Sequence, residues 1–330
     1  MKHQRPSPKI PFDVGAAITQ PFNLPGGKNF LIRLVLWATA LLLLVYFAFG
    51  RQFIGAYIEL FQNLATLDTS GEMEDPEAVM ALMEPMRSIM GTAMLLWIFS
   101  WGVMVATETA MHKNIFRGTD HGIFPLRFGV AELRVALAQL VVSFISYGVM
   151  MIGYIVLIIF AVIASVGVQN GGAVIGVIGG ILAFIAFIAM IGASLLAVIK
   201  LSPAAALSVR DDDVRVLEGW KATYKRFWLM FGSFLIVGIG GYIVLIIIMV
   251  IASIAVFAGM ADISGLQDLS DEQAFAAFVD AMKKPGVMIP LIISLMVYVA
   301  AMILWYLCFW GIPNYAAQLD AQEQGSPKDF

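Results

Sequence analysis

Charged residues in this chain fall into clusters, and long uncharged apolar stretches separate them. The first stretch, residues 30–49, lies between Arg33 near its start and Arg51. The second, 88–107, runs from Arg87 to Glu108. Residues 135–199 then contain no charge over 65 positions. At about 1.5 Å rise per residue, that is too long for a single crossing of a ~30 Å hydrocarbon layer. Gln169-Asn170-Gly171-Gly172 combines polar and helix-breaking residues and predicts a turn there. The pattern therefore predicts helices over 135–168 and 173–199, followed by 227–260 and 287–310. Backbone exposed to lipid must satisfy its own hydrogen bonds, so apolar spans of this length predict an all-α bundle of six transmembrane helices. The alternation of a membrane β-barrel is absent.

Glycines mark expected close contacts or kinks: Gly148 and Gly153 in the third stretch, and Gly238, Gly240 and Gly241 in the fifth. Gly172, Gly176 and Gly180 have the four-residue spacing of small residues at a tight helix contact, read first as packing within the molecule. Residues 125–140 and 214–230 read as amphipathic helices leading into spans, and Asp211-Asp212-Asp213 suits the start of the second. Met80, Met83, Met86, Met90 and Met94 line one face of an outer helix, with Asp75 as cap and Pro76 at its first position. Thioethers can hold Cu(I), but methionine is also a common filler of apolar faces, and that plainer reading is preferred. Ser270-Asp271-Glu272-Gln273 resembles a capping box ahead of a second outer helix.

Gly153-Tyr154-Ile155-Val156-Leu157-Ile158-Ile159 recurs, 88 residues later, as Gly241-Tyr242-Ile243-Val244-Leu245-Ile246-Ile247. The register continues from Val162-Ile163-Ala164-Ser165 to Val250-Ile251-Ala252-Ser253. Spans three–four and five–six thus read as parallel repeats of one helical hairpin.

Composition agrees with a lipid-embedded chain: 60% of the residues are hydrophobic and 13% are charged, against about 45–50% and 25% in soluble domains. The net charge of −3 carries no basic face for nucleic acid. The single cysteine, Cys308, excludes an intrachain disulfide and a thiolate metal site. Sixteen of the 20 basic residues fall on one side of the six spans, in the first 33 residues, two connections and the tail. Only Arg51, Arg87, Lys283 and Lys284 fall on the other side, whose two loops are acidic. The basic side is expected to be cytoplasmic. That gives a cytoplasmic N-terminal segment 1–29, a membrane domain 30–310 and a cytoplasmic tail 311–330, with no cleaved signal peptide.

One stretch carries a resemblance. Leu201-Ser202-Pro203-Ala204-Ala205-Ala206-Leu207 is followed by 217–228, which reads Leu-Glu-Gly-Trp-Lys-Ala-Thr-Tyr-Lys-Arg-Phe-Trp, and by Phe231-Gly232-Ser233-Phe234. It resembles YciC-like bacterial inner-membrane proteins, and it is similar to the membrane region beside some glycerophosphodiester phosphodiesterases. The motif covers about thirty residues. The resemblance implies a bacterial inner-membrane location and supplies no catalytic residues, and the phosphodiesterase barrel is absent.

Candidate chemistry is sparse. Glu108 and His112 share a helix face four residues apart, which could contribute to a metal site, but only His3 and His121 remain as further histidines. An ordinary polar cluster at a helix end is the preferred reading. Trp220, Lys221, Lys225, Arg226 and Trp228 form an aromatic-basic patch where span five begins, suited to interfacial anchoring or to a lipid headgroup. No Asp, Glu, Lys, Arg or His falls near the middle of a span, where ion-coupled carriers usually place such residues. No phosphate loop, zinc-protease pair or serine elbow is present. These features predict a non-enzymatic inner-membrane protein without cofactor, metal or nucleic-acid partner. It would act in membrane organisation or in handling an apolar ligand such as lipid. Transport of a small neutral or apolar solute, or a role as accessory subunit of a membrane enzyme, are the rival readings. Membrane lipids are the expected partners, and a homo-oligomer or protein partner stays open.

Overall fold

The structure is a computed structural model that describes residues 10–70, 76–120, 122–169, 172–259 and 284–324. Among these the regular structure is helical throughout, with no strand. A short α1, Val14–Thr19, is capped by Asp13, whose carboxylate accepts from the Ala16 N–H at 3.0 Å. A 3₁₀ turn, Gln20–Asn23, leads to α2, Gly27–Ser70. There follow α3, Pro76–Arg117, α4, Val130–Gln169, and α5, Ala173–Leu201. Two short helices, α6 (Ala204–Arg210) and α7 (Glu218–Ala222), precede α8, Phe227–Gly259. The last helix, α9, is Pro285–Glu323. Six of these helices are long and apolar enough to cross a membrane. The chain is an integral membrane protein of the all-helical class.

The long helices outrun the bilayer. With 44, 42, 40 and 39 residues in α2, α3, α4 and α9, each reaches about 60 Å, roughly twice the hydrocarbon thickness. The apolar spans continue without a break into their polar extensions. The methionine stripe therefore lies on the first turns of α3 itself, with Met80, Met83, Met86, Met90 and Met94 all exposed. Pro76 is the first helical residue, as the sequence predicts. Asp75, His121, the 170–171 turn and the second outer loop at 270–273 lie outside the described residues.

The spans pair as three antiparallel hairpins: α2–α3, α4–α5 and α8–α9. α9 joins the first and third. Leu34 and Leu42 of α2, Ala106 and Met111 of α3, and Ile303 and Leu307 of α9 share one core, and all are buried. A second core packs Phe12 and Ala17 from the N-terminal segment against Met230 and Val237 of α8 and Ile312 and Ala316 of α9. The two ends of the described chain therefore meet at one end of the bundle, where Phe12 stands edge-on to Tyr315 at 5.3 Å.

The α4–α5 hairpin is an arm. No residue in the most apolar stretch of α4 is buried, and its main packing partner is α5. It is anchored at its base, where Val135 and Ala138 pack on α6. Lipid offers no hydrophobic reward for helix association, so close backbone approach must hold the arm together. A β-carbon at Gly176 would meet Val168, and one at Gly179 would meet Ala164, both nearer than 3.0 Å. Gly180 faces open space. The tight seam thus follows Gly176 and Gly179 and corrects the expected Gly172–Gly176–Gly180 line, because helix rotation carries the third residue off the contact face. Gly148 and Gly240 likewise meet nothing, whereas Gly153 is pressed by Met190 and Gly241 by Trp305.

Two expected helices are corrected. Residues 125–129 are not helical, and the helix from Val130 onward is simply the start of α4. The segment 214–230 is not one amphipathic helix either. It breaks after α7, where buried Thr223 donates its hydroxyl to the Trp220 carbonyl at 3.1 Å and Lys225 takes a left-handed φ of 66°. Asp211–Asp213 cap no helix start. Asp211 ends α6, and Asp212, at φ 59°, accepts from both Arg117 and Arg134. The Arg117 hydrogen bond, reinforced by Arg134, holds the Asp212 carboxyl below the ordinary carboxylate range. With Arg33–Asp120, Lys113–Glu132 and Arg210–Asp320, these pairs tie the hairpins together at the basic end.

Candidate ligand cleft at the basic end of the bundle

The last turns of α3 carry an unusual density of buried polar side chains: Thr107, Glu108, Thr109, His112 and Asn114 are each less than 5% exposed. The threonines satisfy themselves locally, since Thr107 donates to the Val103 carbonyl at 2.8 Å and Thr109 to that of Val105 at 2.7 Å. Asn114 accepts from the Gly26 N–H and donates to the Thr119 carbonyl, fixing the turn before α2. Glu108 and His112 stack one turn apart and meet, with His112 Nε2 3.1 Å from Glu108 Oε1. The second carboxyl oxygen of Glu108 accepts from the amide of Gln139 on α4. The Gln139 carbonyl in turn accepts from the indole N–H of Trp101 at 2.8 Å. A chain of four side chains thus runs from His112 through Glu108 and Gln139 to Trp101, joining α3 to α4. His112 Nδ1 is buried without a partner.

Glu108, Gln139 and Trp101 form one wall of an open cleft of about 520 Å³. The opposite wall belongs to α9, where Trp305, Tyr306, Phe309 and Trp310 fall at the i, i+1, i+4, i+5 spacing of one helix face. Phe234 of α8 and Ala204–Ala205 of α6 complete it. The Trp305 indole N–H donates to the Val237 carbonyl at 2.8 Å. Phe309 stands edge-on to Trp305 at 5.4 Å and stacks on Phe234 at 5.7 Å. Pro313, also in the wall, has no N–H, so the Phe309 carbonyl lacks its usual helical donor. All three hairpins contribute to the cleft, which explains its open form: it is the gap where the α4–α5 arm meets the other two pairs.

The predicted polar pair Glu108 and His112 is therefore brought together and placed on the cleft wall. Among the described residues no cluster of three metal-ligating His, Cys, Asp or Glu side chains occurs. The aromatic-basic patch lies elsewhere. Trp220, Lys221, Lys225 and Trp228 are exposed, but Arg226 turns inward. Its guanidinium donates to the carboxylate of Glu323 on α9 and to the Ala222 carbonyl. Lys200 rather than Arg226 lies over the Trp220 ring, at 5.5 Å. Sequence reasoning missed the aromatic wall of α9. Its i, i+1, i+4, i+5 spacing was legible, but an aromatic stripe on an apolar span reads equally well as packing or as lipid contact.

The class that fold and site define is an integral, all-helical membrane protein with a mixed polar and aromatic cleft among its helical hairpins. No protein-family model, no curated protein and no solved structure matches the chain.

Proposed function

We propose that this protein is a multi-pass protein of the bacterial inner membrane, with both termini in the cytoplasm, that holds an apolar or amphiphilic ligand in the cleft. Orientation rests on the basic residues, which concentrate at the end where the two ends of the described chain meet. The YciC-like resemblance is in keeping with that location. Ligand handling rests on one observation: a cleft of about 520 Å³, with aromatic residues in its walls and the buried Glu108–Gln139 pair among its few polar groups. Ligand sites are characteristically concave and mostly apolar, with a few placed polar groups that fix orientation. The cleft is open and is lined by residues of the membrane-spanning helices, which suits entry of an amphiphile from the bilayer.

The test is mass spectrometry of lipids retained by the protein purified in mild detergent, compared with Ser143→Trp. Ser143 lines the cleft on an exposed position of α4, so an indole there fills the space without disturbing the core. Loss of one retained species in the variant supports the reading. An unchanged lipid profile in a folded variant overturns it.

A further inference from the structure

Two carboxyl side chains are buried in the described structure, and they are treated differently. Glu132 is neutralised by Lys113, 2.6 Å away. Glu108 has neither Lys nor Arg, and its two contacts are His112 and the uncharged amide of Gln139. Four other carboxylates at this end of the bundle are held by permanent cations: Asp120 by Arg33, Asp212 by Arg117 and Arg134, Asp320 by Arg210, and Glu323 by Arg226. Burial of a carboxyl group without a firm cationic partner is costly. Here the carboxyl group paired with a histidine rather than with Lys or Arg is the one that lines the cleft.

The rest of the lining carries no positive charge. No Lys or Arg is among the residues that line the cleft. The indole N–H groups of Trp101 and Trp305 are both engaged within the protein, so their rings offer π faces rather than donors. Aromatic faces carry negative quadrupole potential and attract cations, and Trp is the strongest of the three rings. Each oxygen of a carboxylate can accept two hydrogen bonds, and each oxygen of Glu108 has one partner here, so capacity for a further donor remains. Ser143, Tyr306 and Trp310 bring hydrogen-bond donors to the lining, but an anionic headgroup would meet the Glu108 carboxyl group and π faces with no Lys or Arg to balance its charge.

From this arrangement we infer that the cleft takes a lipophilic cation: an alkylammonium or similar amphiphile, its charged head against Glu108 and the aromatic wall of α9 and its chain among the apolar helices. This rests on the ligand-cleft reading above and adds the charge class of the ligand. Gln139 is a positioning residue, because it holds the Glu108 carboxyl toward α4 while Trp101 fixes its own amide.

The experiment uses the full chain in neutral detergent and three probes of equal chain length at submicellar concentration. These are dodecyltrimethylammonium, its neutral analogue with carbon in place of nitrogen, and dodecyl sulfate. Binding is read by tryptophan fluorescence and titration calorimetry. The expected result is a preference of about tenfold or more for the cation over the neutral analogue, no saturable binding of the sulfate, and loss of the preference in Glu108→Gln. Tyr306→Leu keeps the carboxyl corner intact and should weaken the cation severalfold more than the neutral analogue, which preserves the test should Glu108→Gln fail to fold. Equal binding of cation and neutral analogue overturns the charge inference and leaves the apolar cleft standing. Absence of binding by both, or binding that Ser143→Trp leaves unaltered, overturns the cleft reading itself.

Discussion

The indole of Trp305 on α9 occupies the space that a β-carbon on Gly241 of α8 would need. In the other copy of the repeated sequence, the matching residue, Gly153, receives Met190 from the helix that follows. Both copies thus use the same glycine as the socket for a large side chain of the next span, although the two side chains differ. Trp305 also lines the cleft and donates to the Val237 carbonyl. The socket therefore sets the position of the aromatic wall.

Gly241→Ala should destabilise the protein by about 1–3 kcal/mol, the usual range for overpacking. Gly240→Ala, one residue away with nothing within 4 Å, should be neutral or stabilise by up to about 1 kcal/mol through helix propensity. Thermal unfolding in detergent, followed by circular dichroism, separates the two. Equal melting temperatures would show that Trp305 swings clear at no cost.

Lys113→Met leaves Glu132, at 5% exposure, without its cation. Removal of one partner of a buried pair typically costs about 3–5 kcal/mol. Replacing both, with Glu132→Met added, should recover most of the loss, because no buried charge is then left alone. A double mutant as unstable as the single would show that the Lys113 stem, and not the charge pair, matters.

The Asp212 carboxyl is held below its ordinary value of 3.8, chiefly by the Arg117 hydrogen bond. A carboxyl group lowered in the folded state contributes stability that is fully present above the unfolded value. It is lost as pH falls through the folded value. Melting temperature should therefore be level near neutrality and fall below about pH 4, with a smaller fall in Asp212→Asn. Identical acid profiles would remove Asp212 from the acid response.

Reporter fusions test the orientation. Fusions after Asp120, Asp212 and Phe330 should read as cytoplasmic, and those after Asp75 and Asp271 as external, because the basic residues gather on the first side. One inverted reading at Asp120 or Asp212 breaks the six-span scheme.

The inward turn of Arg226 shifts the lipid-contact test to its neighbours. Lys221→Ala with Lys225→Ala, both exposed, should reduce retention of anionic lipid while leaving zwitterionic lipid unchanged. Arg226→Ala should instead act as a stability change, since its guanidinium holds Glu323 and the Ala222 carbonyl. Lipid loss from Arg226→Ala at unchanged melting temperature would reverse that assignment.

The class of the fold was written in the sequence because it follows from local quantities. Helical rise, bilayer thickness and the obligation of backbone groups in lipid to pair within their own segment turn charge-free runs into spans, whatever their neighbours. The adjacency of Glu108 and His112 is of the same kind, since four residues on one helix always share a face. The cleft is not local. Glu108, Gln139 and Trp305 come from three helices in three hairpins, and only the rotation of each helix about its axis decides that they face a common space. The same rotation moved the tight seam from Gly180 to Gly179 and turned Arg226 from the lipid side toward Glu323. In lipid every apolar face is equally at ease outward, so hydrophobic pattern alone does not fix that rotation, and the close fits at Gly241 and Gly153 do.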